Sequence, residues 1–148
     1  SELFMVRTDI EMASLRDSCK NASDEAILSV RESLQEIARN LPSMDMKGVL
    51  ASDERFHVER ASLAGNAERT RMLKNINERS RFVRKINLET SEGRHECVSE
   101  HVEILDALEA RDAVKATGLL KHHLGLNTRA IKFSLQEGLS RIYADEVV

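Results

Sequence analysis

The sequence predicts an all-α bundle in one domain, residues 1–148, and three observations carry that prediction. The chain has one proline, six glycines and 3% aromatic residues. β-branched runs are absent, so strand signals nearly vanish and helix formers dominate. The breaks between long helical stretches are short, which makes successive helices mostly antiparallel neighbours. A chain of 148 residues, 41% of them hydrophobic, can close a sizeable core.

Each helical stretch ends on a recognisable signal. The first covers residues 2–20 and stops at "NAS", where Ser23 is placed to cap the next. The second runs to about residue 40, and "LPSMD" breaks it at Pro42. The third covers residues 44–64. "GN" at 65–66 then reads as a C-terminal glycine followed by an N-capping Asn66. From there the fourth reaches about residue 88, where "ETSEG" forms a loop. The fifth covers residues 92–110, and a tight "ARD" connection leaves Asp112 as the cap of the sixth. That last helix is expected over 112–144, with Gly118, Gly125 and Gly138 as places to bend or end.

Charge and cysteine usage narrow the function. Charged residues make up 32% of the chain and the formal net charge is −3, so there is no electrostatic footprint for nucleic acid. No apolar run approaches membrane-spanning length, and "SELFMVRTDI" has charges where a signal peptide needs an apolar segment. Cys19 and Cys97 lack CxxC spacing and lie among apolar residues, which reads as two buried free thiols in a reducing cytoplasm.

The histidines carry the chemistry. At 100° per residue each can be placed against its own apolar stripe. Around His57, the residues Met46, Leu50, Ala61 and Ala64 lie within about 40°, and Asp53 falls in the same band. Glu54 lies about 60° to the other side, so Asp53 is the better inward acid of "DERFH". Cys97, Ile104, Leu105 and Leu108 surround the direction of His101. Ala116, Leu119, Leu126 and Ala130 surround that of His123. His122 and His95 point about 100° and 120° off their stripes and read as surface residues. One acid and three histidines therefore converge from three helices. Burying that many polar rings without partners costs several kcal/mol, on the order of 1–3 for each. A shared divalent transition ion satisfies them together: zinc first, with nickel, manganese or iron also suited to the donors.

The same residues fall into an ordered set of motifs. "LFMVRTDIE" resembles LFEVRxxLE, "DERFH" resembles DxxFH, and "ASLAGN" resembles AxAGN. "EHVEILDALEARDAVKA" resembles EHxxIxxAIxxGDxxxA, and "HHL" resembles a closing xHL. Together they resemble the FCD domain, the effector-binding domain of the FadR branch of GntR-type transcription regulators, over about residues 2–135. The resemblance implies an antiparallel bundle of six or seven helices. It implies metal ligation by Asp53, His57, His101 and His123, which makes Asp53 the acid, and an effector contact from Arg7. It further implies a homodimer whose small carboxylate effector controls operator DNA binding through an N-terminal winged helix-turn-helix. This chain starts at the sensor domain, so that reader is either cut away or lacking. Where the family usually has glycine before Asp112, this chain has Arg111, a change of turn geometry.

The function expected is binding, not catalysis. The competing reading is a metalloenzyme, either water-activating or of the di-iron carboxylate type. The latter would use "ERFH" at 54–57 and "EGRH" at 92–95, although His95 faces off its stripe.

Overall fold

The computed structural model describes residues 2–146; the side chains of residues 126–131, 133 and 134 lie outside the described residues. It contains α1 (Glu2–Asn21), α2 (Asp24–Asn40), a 3-10 turn (Leu41–Ser43), α3 (Met46–Ser62), α4 (Ala67–Leu88), α5 (Ser91–Glu109) and α6 (Ala113–Glu146). Among the described residues there is no strand. The all-α antiparallel bundle expected from the sequence is the fold found.

Local chemistry sets the helix ends. Ser23 Oγ accepts from Ala26 N at 3.1 Å and Asn66 Oδ1 from Arg69 N at 3.1 Å. Asp112 Oδ1 accepts from Lys115 N at 3.0 Å. These are the three expected caps, each satisfying an orphan N–H of the first turn. Gly65 has φ +70°, the left-handed conformation that ends a helix without steric cost. Two starts move by a residue or two. α3 begins after Asp45, whose Oδ1 accepts from Gly48 N at 2.8 Å. α5 begins after Thr90, whose hydroxyl accepts from Gly93 N at 3.0 Å. Pro42 breaks α2 as expected and sits inside the 3-10 turn. The glycines of α6 do not end it, since the helix runs on to Glu146.

The interior has two characters. An apolar core joins Leu15 and Cys19 of α1, Ile27, Val30, Leu34 and Ile37 of α2, and Phe56 of α3 to α5 and α6. Between α1, α3 and α4 a small apolar cluster of Ile10, Ala61, Leu73 and Ile76 lies beside a seam of buried polar residues: Arg7, Glu11, Ser14, His57, Arg60, Asn77, Ser80 and Arg84. α1 packs against α3 and α4 along this polar seam. It ends at the imidazoles of α5 and α6.

Candidate metal centre

α3 carries Asp53 and His57 one turn apart, α5 carries Cys97 and His101 one turn apart, and α6 contributes His123. The histidines are buried, at 1%, 3% and 0% exposure in chain order, while His95 and His122 are exposed. The sorting of inward and outward imidazoles by helical direction is therefore what the structure shows. Ala116 is buried and Leu119 half-buried beside His123. Leu126 and Ala130, the rest of its expected stripe, lie outside the residues whose side chains are described.

The three rings form one cluster. His101 lies 4.8 Å from His57 and 4.6 Å from His123 between ring centroids. One ligand atom from each of the three falls within 4.8 Å of the others. Asp53 Oδ1 lies 3.5 Å from His57 Nε2 and 3.7 Å from His101 Nε2. Asp53 thus touches two of the three histidines, and it groups with Cys97 and His101 and not with the triad as a whole. Its other oxygen, Oδ2, accepts from Arg84 NH1 at 2.6 Å. Glu54 points elsewhere: its carboxylate accepts from Arg81 Nε at 2.8 Å and NH2 at 3.0 Å.

Carboxylates behind two of the rings place their protons on Nδ1. His57 Nδ1 donates to Glu11 Oε1 at 2.6 Å, and His123 Nδ1 donates to Glu100 Oε2 at 2.8 Å. A carboxylate behind a ring orients it and raises the basicity of its far nitrogen, as in the outer shell of metal sites. The far nitrogen of His123, Nε2, is buried with no hydrogen-bond partner. His101 is held less firmly. Arg60 NH1 donates to its Nδ1 at 3.4 Å while NH2 donates to Glu11 Oε1 at 3.0 Å. Ligation through His101 Nε2 requires the ring proton on Nδ1, so Arg60 must then turn fully to Glu11.

Electrostatics favour a cation beside His101 and His123. Burial pushes the His101 and His123 imidazoles below their usual range; nearby Asp53 and Glu100 oppose this without reversing it. Burial alone would raise Asp53, but His57, His101 and Arg84 together hold its carboxyl well below the usual range. Glu11 is held low likewise, by His57, Arg7 and Arg60 against the burial effect. Two imidazoles that burial disposes to be neutral, an ionised carboxylate and an orphaned ring nitrogen suit a divalent transition metal.

Arg7 is 2% exposed and donates from Nε to Glu11 Oε2 at 3.0 Å. It belongs to the polar seam, one carboxylate removed from His57. The cavity beside the centre is small, about 30 Å³, and is lined by Asp53, Phe56, Cys97 and His101 with Leu34 and Leu88 among its apolar wall. Arg7 is not among its lining residues. The seam also holds Ser14 Oγ, both amide atoms of Asn77 and Arg84 Nε without hydrogen-bond partners. Helical direction gave no hint of Glu11, Arg60 or Glu100. Spacing alone did carry a signal for the first: Arg7 and Glu11 are four residues apart, within reach on one face. The di-iron arrangement is not assembled among the described residues: Glu54 serves the arginines, and Glu92 and His95 are exposed.

Comparison with known proteins bears on this geometry. The FCD domain model matches residues 2–126. The chain belongs to the FCD domain family. Over 144 residues this FCD domain is 26% identical to the Nta operon transcriptional regulator of Aminobacter aminovorans, covering 96% of the chain and 66% of that protein. Its fold is similar to that of E. coli McbR/YncC, with TM-score 0.78 and 16% identity over 90% of this chain and 64% of the other. The FCD domain thus spans about two thirds of the proteins it resembles.

Proposed function

We propose that this FCD domain is the metal-dependent sensor of a GntR-type transcription regulator of the FadR subfamily. It holds one divalent ion, zinc first, through His57, His101 and His123 with Asp53 beside them. It binds a small organic acid, and that binding controls operator recognition by an N-terminal domain in a homodimer. The observation that carries the reading is the buried, unpartnered Nε2 of His123 in a cluster with two further imidazoles, both of which also lie beside the Asp53 carboxylate.

The polar seam supports the effector. A carboxylate supplies acceptors for Arg7, Arg84 Nε and Asn77, and a guanidinium grips it by paired hydrogen bonds. A cavity of about 30 Å³ is far smaller than the pockets that take small organic ligands. Effector entry therefore has to part the helices around the centre. That parting is the differential contact through which a ligand shifts one packing to another. The metal ion supplies a Lewis-acidic position for a carboxylate oxygen; the chain's residues orient the acid and exclude water. The activity is binding, without turnover.

Metal analysis and calorimetry test this. His123→Ala should lose metal while His122→Ala retains it, and a strong chelator should lower the melting temperature. Equal metal content in the two variants would sink the assignment. A carboxylate panel is then titrated into loaded and stripped protein. The best acid should require metal, and Arg7→Ala should weaken it by about 1.5–3 kcal/mol with metal content unchanged. An equally tight neutral ligand indifferent to Arg7 would refute the effector.

A further inference from the structure

We propose that Cys97 is a sulfur ligand of this centre, so that thiolate, carboxylate and imidazole hold the ion together. The proposal rests on the metal reading above and names a donor beyond it. Cys97 stands one turn before His101 on α5, as Asp53 stands one turn before His57 on α3. The two pairs face each other across the centre. Cys97 Sγ lies 3.5 Å from His101 Nε2 and 3.7 Å from Asp53 Oδ1. Asp53, Cys97 and His101 offer ligand atoms within 4.8 Å of one another.

These separations are those of ligands sharing an ion. Metal–sulfur and metal–nitrogen bonds of about 2.3 and 2.0–2.1 Å at a tetrahedral angle put sulfur and nitrogen about 3.5 Å apart. Oxygen–nitrogen and oxygen–sulfur edges come to roughly 3.4–3.6 Å by the same arithmetic. The Asp53–His57 separation of 3.5 Å fits as well. Independent evidence for a ligand comes from α6, where the fully buried His123 Nε2 lacks any partner. The thiol-containing group and the histidine triad meet at His101. When the sulfur–metal bond forms, the thiol proton passes to solvent and no electron is transferred. A soft thiolate shifts the site toward zinc or cobalt and away from manganese.

Cobalt(II) is the probe. Chelator-stripped protein is reloaded with cobalt(II) alone and its absorption spectrum recorded. Bound cobalt gives visible d–d bands whatever its donors, whereas a thiolate ligand adds an intense near-ultraviolet charge-transfer band. The chain has two cysteines, so Cys19→Ala leaves Cys97 as the single thiol. The wild-type protein and Cys19→Ala should both show the charge-transfer band, and Cys97→Ser should lose it while keeping the visible bands. Visible bands without charge transfer in Cys19→Ala would overturn the sulfur ligand and leave the metal reading standing. No cobalt uptake by the wild-type protein would overturn both.

Discussion

Glu11 shows what one residue does inside this bundle. Its Oε2 accepts from Arg7 Nε at 3.0 Å, and its Oε1 accepts from Arg60 NH2 at 3.0 Å and from His57 Nδ1 at 2.6 Å. All four residues are 3% exposed or less. Removing one partner of a buried ion pair leaves an uncompensated charge, at a cost of about 3–5 kcal/mol. Glu11→Gln preserves volume and removes the charge that balances two guanidinium groups. It should lower unfolding free energy by that amount in urea titrations, and metal affinity by roughly 10–100-fold as an outer-shell change. A variant within about 0.5 kcal/mol of the wild type, the range of an ordinary surface substitution, would show that Arg7 and Arg60 find other partners. Asp53 and the inward histidines were readable because each lies in its helix's apolar stripe, and helical direction follows from spacing alone. Arg60 was not, and for Glu11 the signal was limited to its spacing from Arg7. A buried charge is placed by its partners on other helices, and those partners are invisible until the chain is folded.

At the scale of elements, the α5–α6 turn replaces a glycine's freedom with an arginine's contacts. Arg111 has φ 58° in the left-handed region. Its guanidinium donates to Ala22 O at 2.6 Å and Ser18 O at 3.3 Å, and to Asp24 Oδ1 at 2.8 Å. Carbonyls of the last turn of α1 and of Ala22 just past it thus accept from a residue distant in sequence, Ser18 O accepting from Ala22 N as well. The turn whose geometry departs from the family pattern therefore ties α1 and α2 to the start of α6. Left-handed backbone costs an L-residue roughly 1–2 kcal/mol. Arg111→Ala keeps that strain and loses these hydrogen bonds, whereas Arg111→Gly loses them and relieves the strain. Both should be less stable than the wild type, with the glycine variant about 1 kcal/mol the more stable of the two in chemical denaturation. Equal midpoints would mean that the turn relaxes out of the left-handed region. Helix boundaries elsewhere were legible to within a residue or two because Ser23, Asn66 and Asp112 act locally. The glycines of α6 do not stop it because an interior glycine costs only about 1 kcal/mol, less than the packing and hydrogen bonding of a continuing helix.

Across the whole molecule, the polar interior and the two thiols link stability to pH in opposite directions. His101 and His123 have folded-state affinities for protons below those of free imidazole. The unfolded chain therefore binds protons more readily, and the stability these groups lend is full above about pH 6.5 and lost as pH falls below it. Asp53 and Glu11 are also held low, so their contribution is present above roughly pH 4 and lost on further acidification. Burial raises Cys19 and Cys97, with Asp53 and Glu100 adding to the effect at Cys97. For a raised group the sign reverses: its contribution is full below about pH 8.5 and is lost as pH rises through the folded-state value. Metal-stripped protein should thus show a plateau of melting temperature between about pH 6.5 and 8.5. It should fall on the acid side in two steps, imidazoles first and carboxyls second, and fall again on the alkaline side. Cys97→Ser should flatten the alkaline limb and leave the first acid step. A divalent ion competes with protons for the same imidazoles, so loading it should steepen that first step. A melting temperature that holds or rises between pH 7 and pH 5 in the stripped protein would mean that the inward histidines are charged in the folded state. The pairing of neutral rings with a cation would then have to be abandoned.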